Sequence, residues 1–525
     1  MAIFFGKVLV VGAAAAALIG QAQPGHAETL KRLETQIQQL QDSYQSQIQN
    51  LQRQVEQLKE QQRKEARQNA IVRHQAIAAA ARVTHGPHVV ETKGHEFGLE
   101  SADGENSIYL TGRVHFDVGA YFNYDRKNTN APLRLSDGDN VRRARLGVVG
   151  QFMGDWDYGL IYDMGGSTDA IPSEGIENAY VVYNGFYKHH ERFPVAIDFG
   201  AIDVPWTMDE ATSSNDFLFM EHPSSQWIAT EFGGGDARTA IGVRSNNDRY
   251  LVLAYLTGPQ VGASHVFGGS STGCTIGSPI VPASDDDCDG PQMAFLARGT
   301  YQIVQNAEGS VHLGIDFGDE FRPRNGANMS AISLSDRPEL RIDPTSFLGT
   351  GTIASSGGMV IGGEAAAAWQ NAYIQGEYYH YSIDQLASGF PTLDFNGGYV
   401  EAAYSIGGRR HYKAGAGAYS GISPDHPLSW SGSGWGALEL AARYSVIDLD
   451  GGNSGVACPA ATAVAVLRVC GGDQQVYGIG LNYIPNDNIR FMFDLEHADI
   501  SVPFGSATAK AASFDAIAMR TQIDF

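Results

Sequence analysis

Apolar and polar side chains alternate through most of this chain, and that alternation limits its possible folds more than any other feature. Ile108, Leu110, Val114, Phe116 and Val118 alternate with Tyr109, Thr111, Arg113, His115 and Asp117. Trp156, Tyr158, Leu160, Tyr162 and Met164 alternate with Asp157, Gly159, Ile161 and Asp163. Further on, Leu438, Leu440, Ala442, Tyr444 and Val446 alternate with Glu439, Ala441, Arg443 and Ser445. The final stretch places Ile517, Met519, Thr521, Ile523 and Phe525 on one face, with Ala518, Arg520, Gln522 and Asp524 on the other. Successive side chains of a strand point to opposite faces, so each stretch is a strand with one apolar face.

Any half-buried sheet alternates in this way. Three features select a sheet closed in a membrane. Many segments are about ten residues long, the length a tilted spanning strand needs. Their apolar faces end in Tyr, Phe or Trp, as aromatic girdles do. The last alternating segment runs to Phe525. About sixteen segments, from 108–122 to 513–525, carry the pattern, with 358–367 the least regular. The expected fold is therefore all-β, a transmembrane antiparallel β-barrel of about 16 strands over residues 107–525. A barrel of that size has a lumen too wide for side chains to fill, so it encloses water.

Ahead of the barrel the texture differs. Val8 to Ile19 is apolar but shorter than the roughly 20 residues of a spanning helix. It follows Lys7 and precedes the small residues of Gly20-Gln21-Ala22 and Gly25-His26-Ala27, so residues 1–27 are expected to be an export signal. Residues 28–82 are Gln-rich and contain neither Gly nor Pro. Leu30, Leu33, Ile37, Leu40 and Tyr44 step by three and four, as do Tyr44, Ile48, Leu51, Val55 and Leu58. That spacing predicts an N-terminal α-helical coiled coil, because an apolar stripe must be buried against partner helices. Residues 83–106 are expected to link it to the barrel.

Cys274, Cys288, Cys458 and Cys470 form two local pairs in turn-rich stretches. Four cysteines allow three connectivities. Closing short loops costs least chain entropy, which favours Cys274–Cys288 and Cys458–Cys470 among these connectivities, with four free thiols as the alternative. Their spacings match no zinc site, and no cofactor motif is present. Thr257–Pro291, Arg322–Gly357 and Ile447–Asp473 are expected to be outer loops. Ala201–Glu231 is too apolar for a solvated loop (Trp206, Phe217, Phe219, Met220, Trp227) and is expected to fold into the lumen.

The chain has 36 Lys+Arg against 58 Asp+Glu, a net charge of −22, which excludes nucleic acid as a partner because phosphate backbones bind basic surfaces. The run Asp285-Asp286-Asp287-Cys288-Asp289 is either a solvated acidic loop or a site for divalent cations between lipopolysaccharide headgroups. Outer-membrane lipid and lipopolysaccharide are thus the expected surroundings.

Several ordered motifs resemble the phosphate-selective porin O and P family. They include Val141-Arg142-Arg143-Ala144-Arg145-Leu146-Gly147, Ile176-Glu177-Asn178-Ala179-Tyr180, Ala211-Thr212-Ser213-Ser214 and Phe219-Met220-Glu221. Further matches are Gly398-Tyr399-Val400-Glu401-Ala402-Ala403-Tyr404, Gly407-Gly408-Arg409-Arg410-His411-Tyr412-Lys413 and Ala518-Met519-Arg520-Thr521-Gln522-Ile523-Asp524-Phe525. The resemblance covers residues 97–525 and implies a homotrimer of barrels in the bacterial outer membrane. It also implies passive diffusion of small hydrophilic solutes, phosphate or other anions, through a constriction lined by cations. The matching positions are Arg113, Arg142 and Arg143, with Glu177 as the carboxylate and Ser213 and Ser214 as the hydroxyls. Guanidinium forks bind phosphate bidentately, and a nearby carboxylate keeps binding weak enough for release.

Arg145 shares the face of Arg143 and extends the basic ladder, whereas Arg142 has the opposite parity, which leaves the lipid interface as the alternative to a place at the constriction. Asp209-Glu210 stand where the family often has a basic residue, and Glu221-His222 where it has Glu-Arg. Both departures weaken a positive field, so a weakly anion-selective or general pore is expected. A structural anchor tethered through the coiled coil is the alternative function. A barrel-embedded hydrolase is a weaker one: Gly269-Ser270-Ser271-Thr272-Gly273 fits a nucleophile elbow only in a strand–helix context that is absent here. No catalytic residues are therefore expected.

Overall fold

The computed structural model describes residues 88–92, 95–125, 135–165, 175–189, 194–261, 291–323, 330–429, 432–458, 466–501 and 512–525, with scattered positions between 32 and 59. Met1–His85 and Gly86–Phe525 are separate compact units. In the first, the described positions, such as 35–40 and 45–47, are helical and exposed. The pairing expected of 28–82 and the export signal expected of 1–27 lie outside the described residues.

Sixteen antiparallel strands form the barrel wall of the second unit. They are β1 (Ser107–Asp125), β2 (Gly138–Phe152), β3 (Trp156–Asp163), β4 (Gly175–Tyr183), β5 (Val195–Ile202), β6 (Arg238–Asn246), β7 (Tyr250–Gln260) and β8 (Met293–Gln305). The others are β9 (Gly309–Arg322), β10 (Ile353–Trp369), β11 (Ala372–Gln385), β12 (Leu393–Ile406), β13 (Ala437–Gly452), β14 (Arg468–Asn486), β15 (Ile489–Ser501) and β16 (Ala512–Asp524). The irregular segment at 358–367 is the middle of the continuous strand β10. The ring closes where β16 pairs with β1, with Met519 opposite Val118 and Asp524 opposite Arg113. Closure leaves no wall edge facing lipid, where an unpaired N–H or C=O would cost several kcal/mol. Part of the expected linker also pairs: His88–Thr92 and His95–Glu100 form a hairpin whose second strand joins the start of β1.

The alternation sorts as its physics requires. Ile517, Ile523, Leu440, Ile479 and Leu495 are exposed on the outside, while Glu364, Glu377, Glu401, Glu439, Arg443, Asp494 and Arg520 are buried inside. Three segments fold inward onto that charged wall. The stretch between β5 and β6 buries Trp206, Met208, Phe219 and Met220 and carries a short helix, Ser224–Thr230. Its backbone is held by acids from across the lumen. Met208 and Asp209 N–H groups donate to Glu377 (2.8 and 3.0 Å), and Met220 N–H donates to Asp494 (2.8 Å). Asn482 in turn donates to Leu218 O (3.0 Å).

One of the other two segments departs from expectation. Ser330–Thr352 was expected to be solvated, yet it buries Leu334, Leu340 and Phe347, and Ser224 N–H donates to its Glu339 (3.0 Å). These apolar residues gain burial only by turning into the barrel. Residues 407–429 and 432–436 enter from the opposite end, anchored by Arg410, which forks onto Glu439 (2.8 Å twice) and donates to Asp216 O (2.7 Å). Of the expected outer loops, Ile447–Asp473 is shortened by the extensions of β13 and β14, and a Cys458–Cys470 disulfide (Cα–Cα 5.8 Å) bridges it. Cys274, Cys288, the 285–289 acidic run and Gly269–Gly273 lie outside the described residues.

Arg298 on β8 shows how the plug is fixed. Only 1% exposed, it donates to Glu364 (2.9 Å) and to the carbonyls of Pro205 (3.1 Å), Ala416 (2.9 Å) and Gly417 (2.7 Å), joining two inserted segments to the wall. Arg298→Met leaves Glu364 and three carbonyls short of a donor. The expected loss is about 3–5 kcal/mol, read as a lower midpoint for loss of the folded, heat-modifiable band in detergent.

Candidate functional site

Two β-bulges on neighbouring strands build the site. On β2, Arg143 pairs with His115 and Val141 with Phe116, so Arg142 is an extra residue in the ladder. On β4, Asn178 pairs with Ile161 and Ile176 with Tyr162, so Glu177 is extra there. A bulge turns its additional side chain off the regular alternation. Arg142 and Arg143 are consequently both buried on the inside, and Glu177 joins them. Of the two places open to Arg142, this burial excludes the lipid interface: strand parity does not carry through a bulge.

The two adjacent arginines meet different surroundings. Arg142 forks onto Glu221 (Nε–Oε1 2.8 Å, Nη2–Oε2 3.0 Å). Arg520 binds the same Oε1 (2.7 Å) and forks onto Asp117 (2.7 Å twice). Against the cost of burial, Arg142, Arg520 and Arg143 hold the Glu221 carboxyl well below the usual carboxylate range. Arg143 is left over. It is 3% exposed, its Nη1 is 3.9 Å from Glu221 Oε1, and its Nε and Nη1 have no hydrogen-bond acceptor.

Arg143 lines a cavity of about 270 Å³ between the β1–β3 wall and the inserted segment after β5. Arg113 also lines it and donates to Ser214 Oγ (2.6 Å), with Ser213 beside them. Arg145 is there too, but acids claim it: Nε lies 2.8 Å from Asp163, Nη1 2.5 Å from Glu177 and Nη2 3.7 Å from Asp236. Glu210 faces the cavity and accepts from Gln226 (2.7 Å). Asp209 turns away from it onto His222, whose ring lines the cavity instead.

Sequence reading missed two members, Asp203 and Asp236. They flank the inserted segment just outside β5 and β6, and an acid at each end of an apolar insert was the available signal. Carboxylate oxygens of Glu177, Asp203 and Asp236 lie within 4.8 Å of one another. Burial and then Asp236 push Asp203 up to about 7. Burial, then Asp236 and Asp203, push Glu210 well above the usual range. Against the cost of burial, the largest single influence, Arg145 and then Arg143 hold Asp236 below its ordinary value. The cavity thus brings together cationic groups, Arg143 with two unanswered nitrogens among them, and acids of which Asp203 titrates near neutrality.

This geometry sits on a matching sequence. The family model described as phosphate-selective porin O and P covers residues 108–525. The chain belongs to that family. Porin O of Pseudomonas aeruginosa is 25% identical over 438 residues, covering 79% of this chain and 88% of the relative. An uncharacterized protein of Caulobacter vibrioides is 24% identical over 403 residues, covering 74% of this chain and 68% of the relative. Among solved structures, the outer-membrane protein OmpT of Vibrio cholerae matches with a TM-score of 0.44 at 10% identity, over 80% of this chain and 98% of that one. Family membership makes the protein an outer-membrane β-barrel porin, a channel for passive diffusion of small hydrophilic solutes. The family and Porin O alike indicate a channel rather than an enzyme.

Asp203 makes this porin's field depend on pH. Its folded value near 7 means the carboxyl is neutral below that pH and adds a negative charge above it. At about 8 Å and an effective dielectric near 20, one charge is worth ~2 kcal/mol, less in the watered lumen. Raising pH from 5.5 to 8.5 is expected to move the KCl-gradient reversal potential toward cation preference. Asp203→Asn should shrink that movement.

Proposed function

We propose that the porin conducts small hydrophilic solutes with a weak preference for anions, and that its narrow point is the cavity bounded by Arg113, Arg143 and the inserted segment. The observation that carries this is Arg143, a buried guanidinium at the cavity whose partner Glu221 is already taken by Arg142 and Arg520. Ser213 and Ser214 supply hydroxyls to the same solute path, and Glu177 holds Arg145 in place. Asp209 keeps His222 at the cavity. From residue 96 on the chain has 25 Lys+Arg and 51 Asp+Glu, but permeation responds to the local field at the narrow point rather than to net charge. Phosphate, which the family description names, is one permeating anion among several, because Glu210, Asp203 and Asp236 line the same cavity as the arginines. Arg143→Gln is expected to shift the reversal potential in a KCl gradient toward cations by several-fold in permeability ratio: a pair at about 4 Å and dielectric near 20 is worth ~4 kcal/mol, and screening by water and salt in the lumen removes most of it. Strong cation selectivity of the native porin, or current block by micromolar phosphate, would refute the reading.

Residues 1–27 are read as the export signal and 28–82 as a periplasmic coiled coil linked to the barrel through 83–106. The stripe from Leu30 to Leu58 supports partner helices, and with it a homotrimer whose outer surface meets lipid and lipopolysaccharide. Cys274–Cys288 is read as a second disulfide of the outer loops. Mass in mild detergent is expected to be that of a trimer, and a monomer both with and without residues 28–82 would remove the oligomer.

A further inference from the structure

We propose that the cavity favours zwitterionic solutes, small molecules with a carboxylate and a protonated amine a few bonds apart, as in a free α-amino acid. The inference rests on the cavity being the narrow point of the pore. Its charged lining carries opposite, incompletely answered demands. Among the cations, Arg143 has two nitrogens without an acceptor, and Arg113 makes its hydrogen bond to a neutral hydroxyl. Among the acids, Asp236 has a side chain 52% exposed and lines the same cavity as Asp203 and Glu210. Arg145 answers Glu177 and Asp163 at close range but reaches Asp236 only at 3.7 Å.

A simple anion at the arginines leaves its remaining surface against carboxylates, and a simple cation at the acids meets arginines. Each pays desolvation on one side without recompense. A zwitterion places its carboxylate toward Arg143 and its ammonium toward Asp236, so both charges are paired and the molecule stays neutral overall. Size agrees. About 270 Å³ is a small pocket beside the roughly 300–1,000 Å³ of drug-sized sites, and it suits a solute of a few heavy atoms. Weak pairing at both ends also speeds passage, because conduction needs binding that is favourable enough to enter and weak enough to leave.

Liposome swelling with the full-length porin tests this, with glycine compared against glycolamide, a neutral solute with the same number of heavy atoms. Glycine is expected to enter faster by about threefold or more, the factor that about 0.7 kcal/mol supplies. The ratio should fall toward one in Arg143→Gln and, separately, in Asp236→Asn, which changes a side chain open to the cavity. Equal rates in the native porin, or an excess that survives both substitutions, would overturn the inference while glycolamide entry upholds the pore. Entry of neither solute into vesicles holding folded porin would overturn the pore reading and this inference together.

Discussion

A strand in lipid has no water to satisfy its backbone, and the pairing of β16 with β1 is what makes the structure tolerable there. Closure also decides everything on the inside. Once sixteen strands form a ring, the polar half of each alternating segment faces one enclosed space. Glu364, Glu377, Glu401, Glu439, Arg443, Asp494 and Arg520 are brought within reach of each other and of whatever enters. Such a concentration of buried charge is stable only when paired.

The inserted segments supply that pairing. Wall acids accept from loop N–H groups at Met208, Asp209 and Met220, while wall cations Arg298 and Arg520 donate to loop carbonyls. Aromatic surface contributes as well, with Arg443 4.3 Å from the centre of the Phe219 ring and Arg341 4.0 Å from that of Trp227. Apolar residues of the inserts thus sit against a charged wall because their backbones satisfy it.

Within this network the role of an arginine depends on what its neighbours have already claimed. Arg142, Arg143 and Arg520 converge on one carboxylate, Glu221, which has two oxygens to share. Arg142 and Arg520 take the short contacts and become structural. Arg143, adjacent to Arg142 in the chain, keeps donor capacity and lines the open space. Arg145 follows the opposite course, enclosed by Asp163 and Glu177.

Much of the barrel was legible in the chain, because strand periodicity is a local property and the bilayer imposes the same length on every span. The alternation around Leu440 and Ile517, the spacing of sixteen segments and the inward course of Ala201–Glu231 all follow from side-chain chemistry read along the sequence. Family motifs pointed to Arg113, Arg143 and Ser214 for the same reason: their neighbours in the chain carry the pattern. The bulges at Arg142 and Glu177 were not legible, since a bulge is a mismatch between two strands and neither strand contains it alone. Nor were the inward turn of Ser330–Thr352, the entry of residues 407–429 and 432–436, or the meeting of Asp203 with Asp236. By itself the sequence determined an outward apolar face, an inward charged one and the strands that bear them. Only the tertiary structure decided which charges neutralise each other and which remain for a solute, because each pairing depends on distances across a lumen that exists only after the ring has closed.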